Sequence, residues 1–239
     1  MDPSAVPNFY YHSPIIEYGV SHNQHRDLVG GLWDEVGKLQ FDFLRMNGLS
    51  PASKLIDIGC GCLRGGVHFV DFLDPGNYYG IDISEALLSV GYHVELHNHQ
   101  RQSKLPYSNL VCDGNFQFSK FPVTFDIGIA QSLFTHLTAN YVRLCLLQLT
   151  NSMELGANLF ATFFLVPDDH PIGAPYDHPH GVRSFDDRDP YHYRFNQVVR
   201  LSDALPWHAV RIGNWGHPRD QQMVLFRHFG GRDASCAAG

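Results

Sequence analysis

Three aspartates stand at the ends of short apolar runs, each beside small or aromatic residues: Asp57 in LIDIGCG, Asp82 in YYGIDIS and Asp113 in VCDGNF. Together they have the makings of a nucleoside site. Gly59 and Gly61 let the backbone pass close to a ligand and turn tightly into a following helix, whose N-terminus favours anions or carboxylates. Asp82 can accept two hydrogen bonds from ribose hydroxyls, and it lies 23 residues on from Gly59, near the roughly 20 that such sites use. Asp113 and Phe116 combine a carboxylate with a ring, able to bond an adenine amino group and pack on its face. Ile83 and Gly114, each next to one of these carboxylates, complete the candidate pocket. Taken singly, the aspartates read equally well as helix caps or solvated loop residues. In this order, at successive strand ends, they are hard to reach by accident.

The dinucleotide fingerprint G-x-G-x-x-G fits poorly. In Gly59-Cys60-Gly61-Cys62-Leu63-Arg64 the third glycine is replaced by Arg64, and Gly65 comes one position late.

These residues need elements to hold them at one edge of a sheet. Residues 24–47 carry apolar side chains at three- and four-residue steps and predict one helix, with Trp33 and Gln40 on it as a possible cover for a cofactor. Strands are expected at 54–58, 77–82, 109–112, 124–130 and 158–166. Helices are expected at 65–73, from Ser84 as N-cap, and at 139–153. Strand alternating with helix argues for a doubly wound α/β fold with a mostly parallel sheet. The tail differs: a helix at 194–205, then strands at 207–212 and 222–229 joined by a turn-rich link, which predicts an antiparallel hairpin. Between the fifth strand and this tail, residues 167–193 form a long loop with four of the fifteen histidines, and read as a lid. The expected organisation is one domain over 1–229, with 1–50 as a helical cover, and a disordered tail at 230–239.

Composition bounds the function. The 239 residues are 44% hydrophobic and 17% charged, which excludes a disordered chain, and no run is long enough for a membrane helix. The net charge of −7 gives no footprint for nucleic acid or anionic membrane. The N-terminus lacks the basic and apolar regions of a secretory signal. Five cysteines without a CxxC pair suit buried thiols in a reducing compartment, so a cytoplasmic location is expected. Asp168-Asp169-His170 and Asp186-Asp187 could offer hard oxygen ligands, but acidic loop clusters are usually solvated and no metal is expected.

The series LIDIGCG, YYGIDIS, VCDGNF and FDIGIAQSLFTHL resembles the class I S-adenosylmethionine-dependent methyltransferases, in their small-molecule branch, by motif over roughly residues 30–166. The resemblance implies a seven-stranded sheet with its last strand antiparallel. It implies S-adenosylmethionine as cofactor, with Gly59 and Gly61 under its methionine part, Asp82 at the ribose, Asp113 and Phe116 at the adenine, and Gln131 and Ser132 at the methyl end. One departure is Leu63 in place of the third glycine of the family's GxGxG, which implies a narrower turn.

Methyl transfer is an in-line displacement, in which the protein orients the acceptor and removes its proton. A hydroxyl acceptor benefits from a base of near-neutral pKa, and histidine fits. His136 in SLFTHL is the first candidate and His192 the second. His170, His178, His180, Tyr193 and His217 are candidate acceptor contacts. The expected acceptor is a small-molecule hydroxyl of a sugar, lipid or secondary metabolite. Nitrogen or sulfur acceptors, a nicotinamide-dependent oxidoreductase and a non-catalytic nucleoside-binding module remain open at this point.

Overall fold

Strands buried on both faces read as near-continuous apolar runs, and this chain has five. In the computed structural model, which describes residues 13–97 and 101–230, they are β1 (Leu55–Ile58), β2 (Tyr78–Asp82), β3 (Leu110–Cys112), β4 (Phe125–Ala130) and β5 (Met153–Val166). All five pair in parallel, in the order β3-β2-β1-β4-β5. Two-residue strands β6 (Tyr176–Asp177) and β7 (Arg183–Ser184) form a separate antiparallel pair, followed by β8 (His192–Arg194). Strands β9 (Trp207–Gly213) and β10 (Gln222–His228) complete the order as β5-β10-β9, both contacts antiparallel as expected.

Side chains alternate across the sheet. In β1, Ile56 and Ile58 join the core under α6 (Ala139–Leu149) and α7 (Phe195–Leu201). Leu55 belongs to the opposite core, with α3 (Trp33–Met46), α4 (Gly66–Phe72) and α5 (Glu85–Val90). Ser84 caps α5 as its sequence predicts, accepting the Leu87 N–H at 3.3 Å. Among the described residues no helix is long and apolar enough to cross a membrane.

Three expectations are corrected. The helix expected over 24–47 is broken. After α1 (Ser13–Ser21), the short α2 (His25–Leu28) is separated from α3 by a turn in which Gly30, Gly31 and Leu32 all have positive φ (90°, 60° and 48°). The apolar spacing runs across this break, so periodicity alone does not reveal it. The helix expected to reach 153 stops at Leu149, and β5 begins at Met153. The loop at 167–193 is not a free lid. β5 outruns both neighbours: β4 pairs with it only to Ala161 and β10 only to Phe163. The exposed backbone beyond needs partners, and β8 supplies them, pairing Phe164 with His192 and Val166 with Arg194. Of the cysteines, Cys60, Cys62 and Cys145 are buried thiols but Cys112 is exposed. The predicted tail from 231 onward and residues 1–12 of the N-terminal cover lie outside the described residues.

A π-turn, Gly91–Glu95, continues α5 and presses on the loop after β1. A Cβ at Gly91 would stand 2.8 Å from the Cys62 carbonyl carbon and 2.9 Å from its oxygen, with backbone that cannot rotate away. Gly91→Ala is therefore expected to cost about 1–3 kcal/mol through overpacking, read as a lower urea midpoint with an unchanged m-value.

Candidate active site

A cavity of about 250 Å³ opens at the carboxyl ends of β1 to β4. At its β2 wall stands Asp82. Its Oδ2 accepts the Gly61 N–H at 2.8 Å and its Oδ1 accepts the Ser84 N–H at 2.9 Å. The carboxylate therefore does serve as a cap, yet each oxygen keeps a second lone pair and the group still lines the cavity. Burial raises its pKa, opposed by the N–H groups of Ser84, Gly61 and Ile83. Asp57 is buried at the end of β1 and accepts the Tyr78 hydroxyl at 2.8 Å. Burial pushes its carboxyl up to about 7, against the Tyr78 bond, with Asp82 adding to the rise and Arg64 opposing it.

Asp113 lines the same wall with most of its carboxylate already engaged. Oδ1 accepts the N–H groups of Asn115 (2.7 Å) and Gln117 (3.1 Å), and Oδ2 pairs with Lys120 at 2.6 Å. Burial would raise its pKa, but Lys120 and these N–H groups outweigh burial and hold it low. The result is a rigid loop that presents Gly114 and Phe116 to the cavity, with Phe116 at φ 57°. Gly59, Gly61 and Ile83 line the floor, both glycines at positive φ (74° and 53°).

Polar side chains crowd the far end of the cavity. The buried Arg64 guanidinium donates from Nη1 to the carbonyls of Val29 and Gly31 and from Nη2 to Gln131 Oε1, all at 2.7–2.8 Å. Gln131 in turn contacts the ring of His217 at 3.2 Å. Burial pushes His217 down to about 4, helped by Arg64 and Arg219, so it is neutral at pH 7. Ser132 is held by its N–H to Thr162 Oγ1 (2.7 Å) and its hydroxyl to Gln221 Nε2 (2.7 Å). Arg219 donates to the Gly30 carbonyl at 2.8 Å. The broken helix is thus a cover. The carbonyls of Val29, Gly30 and Gly31 are held by two guanidiniums, which stabilises the left-handed turn.

The cover is tied down behind the cavity by Glu95. His25 Nε2 lies 2.6 Å from Glu95 Oε1, and Arg26 binds both carboxylate oxygens at 2.8 Å. Arg26 also lies 4.5 Å above the Trp33 ring. Trp33 packs against the core clusters and is not on the cavity wall, whereas the buried Gln40 on the same helix is. Burial would raise the Glu95 pKa, yet its bonds to Arg26 and His25 bring the net value below the ordinary one. Its contribution to stability is present above the ordinary glutamate pKa and is lost as pH falls through the lowered folded value.

His136 lines the cavity from the turn after β4, and its Nδ1 lies 2.6 Å from Asp189 Oδ1. Both side chains are half-buried. The Tyr191 N–H donates to the Thr135 carbonyl at 2.7 Å, and the Tyr193 hydroxyl donates to the Leu137 carbonyl. The 167–193 segment therefore buttresses the His136 turn. It puts none of its own residues on the cavity wall. Five candidates therefore stand off this cavity. His192 is a buried β8 residue whose Nδ1 contacts Ser184 Oγ at 3.0 Å, and His178 Nε2 contacts the same hydroxyl at 2.7 Å. Tyr193 is buried in the same strand. His170 packs its ring on Tyr176 and His192, and His180 is exposed in a left-handed turn. Pairing of β8 with β5 turns the histidine-rich segment away from the cavity. Asp189, Arg219 and the 29–31 turn reach the site only through tertiary structure; Arg64 has a sequence signal, as the break in the glycine pattern. Among the described residues no group of three or more His, Cys, Asp or Glu side chains is placed to hold a metal ion.

No family model matches the chain. Its fold does have solved counterparts. Magnesium protoporphyrin IX methyltransferase from Synechocystis PCC 6803, with bound SAM, superposes with a TM-score of 0.59 at 12% identity, covering 90% of this chain and 96% of that one. CalS10, an amino pentose methyltransferase from Micromonospora echinaspora, gives 0.60 at 15% identity over 92% and 98%. The CcbJ methyltransferase from Streptomyces caelestis gives 0.60 at 13% identity over 84% and 97%. The chain has the Rossmann-like fold of the class I methyltransferases, with a cavity at the strand ends where that sheet order places a ligand.

Because Glu95 is the anchor of the cover, Glu95→Ala is expected to cost about 3 kcal/mol, the scale of a broken buried ion pair. Trypsin should cut after Arg26 at least tenfold faster in the variant than in the native protein.

Proposed function

We propose that this protein transfers a methyl group from S-adenosylmethionine to a hydroxyl of a small molecule, with residues 1–229 acting as one methyltransferase domain and His136 as general base. The observation that carries the reading is the sharing of one cavity by two separate devices. One is Asp82, bonded to the Gly61 N–H, with Phe116 beside it; the other is the His136–Asp189 pair.

The residues fit the cofactor. Asp82 has lone pairs for ribose hydroxyls, and Phe116 and Gly114 offer a flat, open wall for the adenine. Gly59 and Gly61 leave out the Cβ atoms that would narrow the floor: one at Gly61 would stand 2.8 Å from Val29 Cγ1, and one at Gly59 3.0 Å from Leu133. Asp113 contributes through its loop. When bound, S-adenosylmethionine supplies an activated methyl for in-line displacement.

The chain's own part is to hold the acceptor and take its proton. Asp189 accepts the His136 Nδ1–H and fixes the tautomer, so that Nε2 carries the lone pair. With cofactor and acceptor bound, the acceptor's O–H proton would pass to His136 Nε2, and S-adenosylmethionine held by Asp82, Gly59, Gly61 and Phe116 would supply the methyl group. The Asp189 carboxylate then stabilises the imidazolium. Gln131 and Ser132, locked by Arg64 and by Gln221, shape the wall between base and cofactor.

Titration with S-adenosylhomocysteine should show micromolar binding, weakened tenfold or more (about 1.4 kcal/mol) in Asp82→Ala. Binding of a nicotinamide dinucleotide and not the thioether would overturn the reading. With a panel of hydroxylated acceptors, His136→Asn should lower kcat about 10²- to 10⁴-fold while leaving S-adenosylhomocysteine affinity within threefold. Equal turnover by native protein and variant would remove His136 as the base.

A further inference from the structure

The cavity is polarised along the sheet. Apart from Asp27 on the cover, its carboxylates, Asp57, Asp82 and Asp113, all belong to the ends of β1, β2 and β3. The opposite end carries His217 and Arg219, and the Arg64 guanidinium, from the loop after β1, reaches Gln131 between the two. His217 and Arg219 come from the β9–β10 connection, and the pairing of Gln222 with Phe163 puts that connection at the same sheet edge as the ends of the parallel strands. In the order β3-β2-β1-β4-β5-β10, they lie past the methyl end and furthest from the nucleoside wall. This is an unusual place for positive charge in a chain of net charge −7.

Arg219 is half-buried, and among the described residues no carboxylate forms an ion pair with it. Its side chain is instead parked on the Gly30 carbonyl at 2.8 Å, through Nη2. A Cβ on Gly30 would lie 2.9 Å from Arg219 Nη1 and 3.9 Å from Arg64 Nη1, so both guanidiniums crowd one glycine of the cover. His217 is neutral and stacked on Trp215 (5.6 Å, 24°), which itself packs edge-on against Phe43 of α3 (5.4 Å). The loop bearing Arg219 is therefore anchored to the core. A guanidinium presents its donors in a planar fork that matches an oxyanion, and a partly desolvated one gains most from such a partner.

We propose that Arg219 is the subsite for an anionic group of the methyl acceptor, so that the acceptor is a hydroxyl compound bearing a carboxylate or phosphate. This rests on the methyltransferase reading above. In this role Arg219 determines specificity, and His217 beside it is a neutral wall that adds no competing charge.

The test uses the full chain saturated with S-adenosylhomocysteine. Benzoate and phenyl phosphate are titrated against neutral benzamide, with native protein, Arg219→Gln and Arg219→Lys. The expected result is that at least one of the two anions binds the native protein at least tenfold more tightly than benzamide. Arg219→Gln should lose that preference while its S-adenosylhomocysteine affinity stays within threefold, and Arg219→Lys, which keeps the charge without the fork, should retain part of it. Equal binding of the anions to Arg219→Gln, or no preference over benzamide in the native protein, overturns the proposal and leaves the methyltransferase reading standing. A tenfold loss of S-adenosylhomocysteine affinity in Arg219→Gln also overturns it, by assigning the guanidinium to cofactor binding, through the cofactor's carboxylate or through its hold on Gly30 of the cover. Failure of the native protein to bind S-adenosylhomocysteine at all would sink both readings together.

Discussion

A guanidinium taken out of water loses several kcal/mol of hydration unless its N–H groups find oxygens in the plane of the fork. Arg64 is 8% exposed, and it is supplied by the carbonyls of Val29 and Gly31 and by the amide oxygen of Gln131. These partners come from the cover and from the end of β4, the two sides of the cavity. The demand of one buried cation therefore fixes the distance between them. Several other features follow. The cover must turn its carbonyls inward, which requires the left-handed run at Gly30, Gly31 and Leu32. Gln131 must offer its oxygen to Arg64, which leaves its amide nitrogen to His217. Glu95 must hold α2 from behind, or the cover would leave with its carbonyls.

The other organising constraint is the length of β5. Its last residues extend past both neighbouring strands, and their backbone groups are satisfied by β8. That pairing brings Tyr191 and Tyr193 against the turn at 134–137 and delivers Asp189 to His136. A segment that resembles a lid by its length and composition is a buttress. Three of its four histidines are consumed in packing, two of them sharing the Ser184 hydroxyl, and the fourth, His180, is exposed. Three non-glycine residues on the cavity wall, Leu32, Phe116 and Ser132, are held at positive φ (48°, 57° and 59°). Such conformations cost about 1–3 kcal/mol each and persist where surrounding contacts over-determine them, as the Thr162 and Gln221 bonds do for Ser132.

The amino-acid sequence by itself determined the order of the five parallel strands and the helices between them, the antiparallel end of the sheet, and the position of Asp57, Asp82 and Asp113 at successive strand ends. These properties are local. An apolar run that ends in a carboxylate or a glycine pair has few alternatives in an alternating α/β chain. The resemblance of its motifs to the methyltransferases also pointed to Gln131 and Ser132, and with them to the neighbouring His136, all three of which line the cavity. Only the tertiary structure decided that His170, His178, His180 and His192 stand off the cavity, because that depends on β8 joining β5 and not on any spacing near His192 or His178. It alone brought Asp189 to His136 across 53 positions, Arg219 to Gly30 across 189, and Arg26 to Glu95 across 69. Hydrogen bonds and ion pairs act over a few ångströms with no regard to separation along the chain. A side chain whose partner is supplied by a distant element therefore leaves no periodic trace in the sequence.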